Sequence, residues 1–516
     1  MSSIAFSSGA TPSPITETES GQVQGITQEG INIYRGIPFA EPPLGPLRWR
    51  APQPKTPWSG IYQATEFSHD CMQKPFPSDA APLGTEPNED CLGLNVWAPK
   101  SRTEKPLPVM VWIYGGGFVN GGSSTPIYDG QAFAQNDIIV VSFNYRVGRF
   151  GFFAHPALSA EPHGDEPLGN YGFMDQIAAL KWVKNNIHQF GGDANNITLV
   201  GESAGGFSIH TLLTSPLSQG LFQRAIIQSG GGRIGMNQRL IDKMNDQGVP
   251  SAEQIGENFA KRFNIQGQDA LEALRQLSAE KVTSGLNMNS MGDPTYSGPM
   301  LDGKLVVKQP QDYYVKGERL SVPLMMGTTD FEIGFAGPVD SMSDALEPFA
   351  ELEVDQKKIA KAYADNGVTK PQDVAQRIAS DALMVEPTRY ALRVADEHNQ
   401  TVYGYRFAYV TESEKEAWPG AFHATDIPYA FNTVATRYGE KLSSEDQAMA
   451  DLVHQYWVNF IKYGNPNGDD LPTWQPYDGQ QDNLMWFSNQ GAKESVMRTD
   501  PWNERLDYIK LLQPQP

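Results

Sequence analysis

The sequence predicts an α/β fold: a large, mostly parallel central sheet covered by helices on both faces. Three observations carry this. Near-continuous apolar runs of strand length, "LPVMVWIYGGG" from Leu107 and "IIVVSFNYR" at residues 138–146, read as strands buried on both faces. Strand-length runs alternate with segments of helical period, the pattern of parallel strands joined by helical crossovers. A serine set among glycines, "GESAGG", stands where one such strand meets a helix-like segment.

In chain order, residues 1–20 are polar and Ser/Thr-rich and predict a disordered N-terminal tail. Short strands follow in "GQVQGITQ" and "INIYRGIPFA". Prolines make residues 41–57 irregular, because proline removes backbone donors. After the two buried runs, residues 170–190 have helical spacing through Met174, Ile177, Ala178, Leu180 and Val183, with Gly191 and Gly192 placed to end the helix. Strand "ITLV", helix "GGFSIHTLL", strand "RAIIQSG" and strand "VPLMMGT" continue the alternation. Residues 236–320 and 341–400 are polar and helix-prone and read as insertions. "TVYGYRFAYV" is a later strand. Met449, Leu452, Val453, Tyr456, Trp457, Phe460 and Ile461 form the stripe of a long amphipathic helix whose aromatics face the core. Residues 21–516 are expected to form one domain, since the candidate site residues come from distant parts of the chain and must meet.

The chain has 516 residues, 40% apolar and 19% charged, ample for a core. A formal net charge of −20 argues against nucleic acid and anionic membrane as partners, since both need basic surface. No apolar run reaches the ~18 residues of a spanning helix, and no basic n-region or apolar h-region marks an intact signal peptide. The oligomeric state stays open between monomer and homodimer. The two cysteines, Cys71 and Cys91, lie in a Pro-rich, loop-like stretch and are read either as buried thiols or as a bridge. No His/Cys cluster suggests a metal, and no cofactor is expected.

In "GESAGG" the pattern G-x-S-x-G is a nucleophile elbow, in which Gly201 and Gly205 let neighbouring backbone pass close while Ser203 is held clear of the sheet. Upstream, "WIYGGGF" puts three side-chain-free residues directly after a buried strand, exposing backbone N–H groups to an oxyanion that the N–H of Ala204 would complete. A serine hydroxyl needs a base. His210 lies about two helical turns past Ser203 and reads as structural. His423, in the loop "WPGAFHATDIPYAF", is the candidate base, and "MMGTTDFEIGF" offers Asp330 and Glu332 as the acid.

Together these features resemble the type-B carboxylesterase and cholinesterase family, of α/β-hydrolase fold, including its bacterial para-nitrobenzyl-esterase-like members. "YRGIPFAEPPLGPLRWRAPQP", "EDCLGLNVW", "YGGGF", "NYRVGRFGF", "GNYGFMDQ", "FGGD" and "GESAGG" follow in the family's order over nearly the whole chain. The resemblance implies a serine carboxylic-ester hydrolase with Ser203 as nucleophile, His423 as base and Glu332 as acid, the last in a G-x-x-x-x-E pattern from Gly327. It further implies Gly116, Gly117 and Ala204 as oxyanion donors, a Cys71–Cys91 disulfide and an Arg48–Glu89 salt bridge. A bridge favours a periplasmic or extracellular location over the cytosol. No tryptophan lies between the cysteines, so choline esters are not expected substrates.

Two residues bear on substrate. Phe118 follows the glycine triplet. Arg233 follows three glycines in a segment that the family places near the acyl pocket. It either clamps a carboxylate on an anionic ester or pairs with a structural carboxylate. Gly230, Gly232 and Gly235 form a G-x-G-x-x-G without the following strand that a dinucleotide site needs. Asn196 and Asn399 head formal glycosylation sequons. The alternatives are a non-catalytic binding protein on the same fold, or a lipase or acyltransferase with the same triad.

Overall fold

The computed structural model describes residues 9–77, 80–101, 105–233 and 239–514. Gly235, the last glycine of the G-x-G-x-x-G, lies outside them. The chain divides into two compact units. One is Met1–Ala225 with Met236–Gln309 and Ile461–Tyr463; the other is Ile226–Gly235 with Pro310–Phe460 and Gly464–Pro516.

In the first unit, seven sheet strands run in the order Thr11–Pro12, Ile26–Gln28, Ile31–Pro38, Gly93–Pro99, Ile139–Phe143, Leu107–Ile113 and Gly192–Glu202. Pairing is antiparallel up to Ile139–Phe143 and parallel beyond it. The apolar runs occupy the parallel part, where Val109 stands opposite Ile139 on one side and Ile197 on the other. Every residue of Ile139–Phe143 is buried, Ser142 included, as in a strand covered on both faces. The predicted helix runs Tyr171–Asn186, tightens into a 3-10 turn at Ile187–Phe190, and ends at Gly191 with φ 95°. Gly192 opens the next strand instead of helping to stop the helix.

Buried polar links hold this unit's motifs together. The Arg146 fork donates to both oxygens of Asp175, each at 2.8 Å, joining "NYRVGRFGF" to "GNYGFMDQ". Arg149 donates to the carbonyls of Thr283 (2.8 Å) and Thr295 (3.0 Å), pinning the first insertion. Arg48 pairs with Glu89 through Nε (2.8 Å) and Nη2 (2.5 Å). Cys71 and Cys91 are disulfide-bonded.

The N-terminal segment differs from expectation. Residues 1–8 lie outside the described residues, but Thr11–Pro12 pairs with Ile26–Gln28, and Thr16–Thr18 joins a small sheet with Gly21–Gln24 and Ile61–Gln63. Tertiary partners, such as the Tyr34 hydroxyl 2.9 Å from Thr16 Oγ1, order a stretch whose composition alone predicts disorder. In the first insertion the helix Ala252–Lys261 is capped by Ser251, and Arg239–Leu240 pairs with Met300–Leu301.

In the second unit, strands Leu324–Thr329, Val402–Phe407 and Asn483–Phe487 are parallel, and Val496–Thr499 adds antiparallel at the edge. The long helix runs Ser444–Tyr463, opened by a capping box between Ser443 and Asp446 and closed at Gly464 with φ 70°. Within this unit its aromatics are core: Trp457 packs on Tyr405 and Tyr456 on Trp474. Among the described residues no helix is long and apolar enough to cross a membrane.

Candidate active site

Ser203 follows the strand Gly192–Glu202 and precedes the helix Ala204–Thr214, as the elbow motif predicts. Its backbone sits at φ 54°, ψ −121°, a conformation a side-chain-bearing residue holds only where its surroundings over-determine it. Contact imposes it. A Cβ at Gly205 would lie 1.9 Å from the Ile113 carbonyl oxygen, and one at Gly201 would lie 2.7 Å from the Gly205 carbonyl carbon. The glycines are therefore required by close approach, since neither has a positive φ. Ala204 opens the helix, so its N–H is among the first four with no intrahelical acceptor.

The glycine triplet lies against the serine. A Cβ at Gly115 would be 2.9 Å from Ser203 Cβ and 2.7 Å from Glu202 Oε2. Gly116 (φ 105°) and Gly117 (φ 61°) turn the chain away from the strand in conformations that favour glycine. A Cβ at Gly117 would meet the Met288 and Met291 sulfurs, each at 2.7 Å. Phe118, offered by the sequence as a substrate-binding residue, is packed among aromatic rings. It is 1% exposed and packs edge-on against Phe152 and Phe173, while its carbonyl accepts the Gly148 N–H at 2.6 Å.

Glu332 and His423 come together in the second unit. His423 Nδ1 is hydrogen-bonded to Glu332 Oε2. The other carboxylate oxygen accepts from Ser229 Oγ (2.5 Å) and from the Thr329 N–H (2.9 Å). Burial pushes the Glu332 carboxyl up. The charge of His423 and the hydrogen bonds from His423, Ser229 and Thr329 outweigh it and hold the group below the ordinary carboxylate range. The two loops are zipped together by backbone: Phe331 N–H donates to Ala421 O (3.0 Å) and His423 N–H to Phe331 O (3.1 Å). Asp330, the other candidate acid, accepts the Ala421 N–H at 2.6 Å; burial raises its carboxyl to about 6.

Sequence reasoning did not pick out Ser229 or Asp426. Ser229, at φ 49°, directs its hydroxyl to Glu332 just past the strand Arg224–Gln228. Asp426 is fully buried, and its Oδ2 accepts from Gln228 Nε2 (2.8 Å) and the Tyr405 hydroxyl (3.2 Å). Burial, reinforced by the nearby Glu332 charge, raises it to about 6 against the opposing hydrogen bonds and His423. Its place three residues after the histidine was the one available signal.

Arg233, the residue offered as a clamp for an anionic ester, is paired within its own chain. It is 3% exposed, and its fork is directed at its own chain: Nε donates to Glu386 Oε2 at 2.7 Å and Nη2 to Glu386 Oε1 at 2.5 Å. The guanidinium also lies 3.7 Å from the centre of the Tyr390 ring. The structural-carboxylate alternative is the one observed.

The carboxylesterase family model matches residues 12–507. Para-nitrobenzyl esterase of Bacillus subtilis (strain 168) is 33% identical over 510 residues, covering 96% of this chain and 98% of its own. Fumonisin B1 esterase of Sphingopyxis macrogoltabida is 33% identical over 503 residues, covering 94% and 88%. A solved PNB esterase structure superposes with a TM-score of 0.80 at 30% identity, over 97% of this chain and 99% of that one. With the elbow and the Glu332–His423 pair already described, these matches place the chain in the carboxylesterase family: it has the α/β-hydrolase fold and is a serine carboxylic-ester hydrolase.

Proposed function

We propose that the enzyme cleaves small-molecule carboxylic esters through an acyl-enzyme on Ser203. His423 takes the serine proton as Ser203 attacks the ester carbonyl and returns it to the leaving alcohol. Glu332 orients the imidazole and stabilises its cationic form. The N–H groups of Gly116, Gly117 and Ala204 receive the oxyanion, and water activated by His423 then releases the acid. One observation carries this assignment. Glu332 is held on one oxygen by Ser229 and Thr329 while the other binds His423 Nδ1, which commits Nε2 of the imidazole to the role of base. The test is Ser203→Ala, which should fold normally and lose measurable esterase activity; a folded variant with near wild-type turnover would refute the mechanism.

The substrate reading follows from Arg233. With its fork held by Glu386, Arg233 has its two carboxylate-binding donors engaged within the chain, which supports neutral esters as the substrates. A panel containing a para-nitrobenzyl ester, short acyl esters and a tricarboxylic ester decides the point; preference for the tricarboxylic ester would reverse it. The Cys71–Cys91 disulfide supports an exported location. Fractionating the native host into cytosol, periplasm and medium tests that, with activity confined to the cytosol as the contrary result. The treatment of residues 21–516 as one catalytic domain belongs to the same reading.

A further inference from the structure

The glycine turn beside Ser203 adopts three successive positive φ values, at Gly116, Gly117 and Phe118 (φ 61°). A backbone of this kind stays in one conformation only when neighbours over-determine it. The neighbours here are two buried amide side chains. The Gly116 carbonyl accepts the N–H groups of Val119 (3.1 Å) and Asn120 (2.9 Å), closing the turn. Asn120, 1% exposed, is then fixed at both ends of its amide: Nδ2 donates to Gln73 Oε1 (3.1 Å) and Lys74 O (2.8 Å), while Oδ1 accepts the Met288 N–H (3.0 Å). Gln73, 4% exposed, grips the next residue the way a β-ladder partner would. Gly121 N–H donates to its Oε1 (2.9 Å), and its Nε2 donates to Gly121 O (2.7 Å). The same Nε2 reaches back to the Cys71 carbonyl (2.9 Å). On the other side of Cys71, Asp70 presses on the segment after the turn: a Cβ at Gly122 would lie 2.0 Å from Asp70 Oδ1, and Ser124 Oγ is hydrogen-bonded to Asp70 Oδ2.

We infer that Gln73 and Asn120 are positioning residues for the oxyanion turn, transmitting the placement of the disulfide-closed loop to Gly116 and Gly117. The inference rests on the mechanism proposed above. Donors aimed at an oxyanion act only when held at the position that the charge will occupy, and losing one typically costs 10²–10³ in rate. Neither amide is assigned a contact with substrate, so their influence runs through backbone placement and falls on the chemical step rather than on ester binding.

The test uses Gln73→Met, which keeps the side chain's length without its hydrogen bonds, and Asn120→Ala. For folded variants, turnover is normalised to the Ser203 sites titrated by a fluorophosphonate. The expected result is a fall in kcat on the order of 10–100-fold with KM changed less than about threefold, and a parallel weakening of inhibition by a trifluoromethyl ketone that mimics the tetrahedral adduct. An unchanged kcat per titrated site, or a loss confined to KM, overturns the inference. If a variant does not fold, native enzyme reduced with a phosphine replaces it; full kcat with both Cys71 and Cys91 alkylated is then the overturning result. Failure of the mechanism itself looks different: the fluorophosphonate would not label Ser203, or Ser203→Ala would retain activity.

Discussion

Replacing Glu332 by glutamine separates orientation of the imidazole from mere hydrogen bonding. Oε1 of the native carboxylate accepts the Thr329 N–H at 2.9 Å and the Ser229 hydroxyl at 2.5 Å. A serine hydroxyl can rotate, but a backbone N–H cannot become an acceptor. The glutamine must therefore put its oxygen on that side and its NH₂ toward His423 Nδ1. Nδ1 then becomes the acceptor, the ring proton moves to Nε2, and the imidazole is in the tautomer that cannot take a proton from Ser203. A triad locked in the wrong tautomer loses about 10⁴ in kcat, which is about 5.5 kcal/mol of transition-state stabilisation. Flipping the amide restores the tautomer but sets two donors against each other at Thr329, a buried conflict costing ~1–3 kcal/mol; where that flip is open the loss is held to roughly 5–150-fold, and the full 10⁴ is reached only where packing blocks it. The assay is kcat and KM on a para-nitrophenyl ester near pH 8, with ¹⁵N NMR of His423 reporting the tautomer. A folded Glu332→Gln enzyme within about twofold of wild-type kcat, or one whose His423 keeps its proton on Nδ1 without loss of stability, would refute the reasoning.

Three further outcomes follow from the geometry. Gly205→Ala should prevent folding or lower Tm sharply, because the added Cβ would lie 1.9 Å from a backbone oxygen; a variant melting within a few degrees of wild type would show that the helix can shift. Arg233→Ala should destabilise by ~3–5 kcal/mol by leaving Glu386 buried and unpaired, and should lower kcat/KM for neutral and anionic esters alike; loss for anionic esters alone would restore the clamp. Asp426 has a folded-state pKa raised to about 6, so between its unfolded value near 4 and 6 the folded state binds the extra proton and stability falls as pH rises through that window. Asp426→Asn, which cannot ionise, should therefore gain up to ~3 kcal/mol relative to wild type at pH 8 and little at pH 4; urea unfolding at both pH values checks this, and an equal difference at both would show that the carboxyl does not titrate as stated.

The parallel strands were legible because burial on both faces writes itself as near-continuous apolar sequence, as in residues 107–113 and 138–143. The long helix was legible because one stripe faces a core. Elements stabilised chiefly by tertiary partners were not. Thr11–Pro12 and Thr16–Thr18 have no apolar pattern and are ordered by their pairings. Asn483–Phe487 is a short run that pairs parallel with Val402–Phe407, far back in the chain.

The same division runs through the site. Ser203, Glu332 and His423 sit in local patterns: an elbow, a fixed spacing from Gly327, a loop after a strand. The groups that set their geometry have no local signature, because each works by reaching a residue remote in sequence. Ser229 reaches Glu332 across 103 residues and Gln73 reaches Gly121 across 48. Arg233 shows the converse hazard. An arginine on a glycine-rich loop advertises a ligand site in sequence, yet its partner, Glu386, lies 153 residues away in an unremarkable helix. A buried guanidinium must find a counter-charge to be tolerated at all. In a chain with 60 carboxylates against 40 cations, the acid it finds is more often its own than a substrate's. Motifs thus point to the candidate reacting groups, while the polar pairs that hold them, such as Ser229 with Glu332, span long stretches of sequence and are visible only in the folded chain.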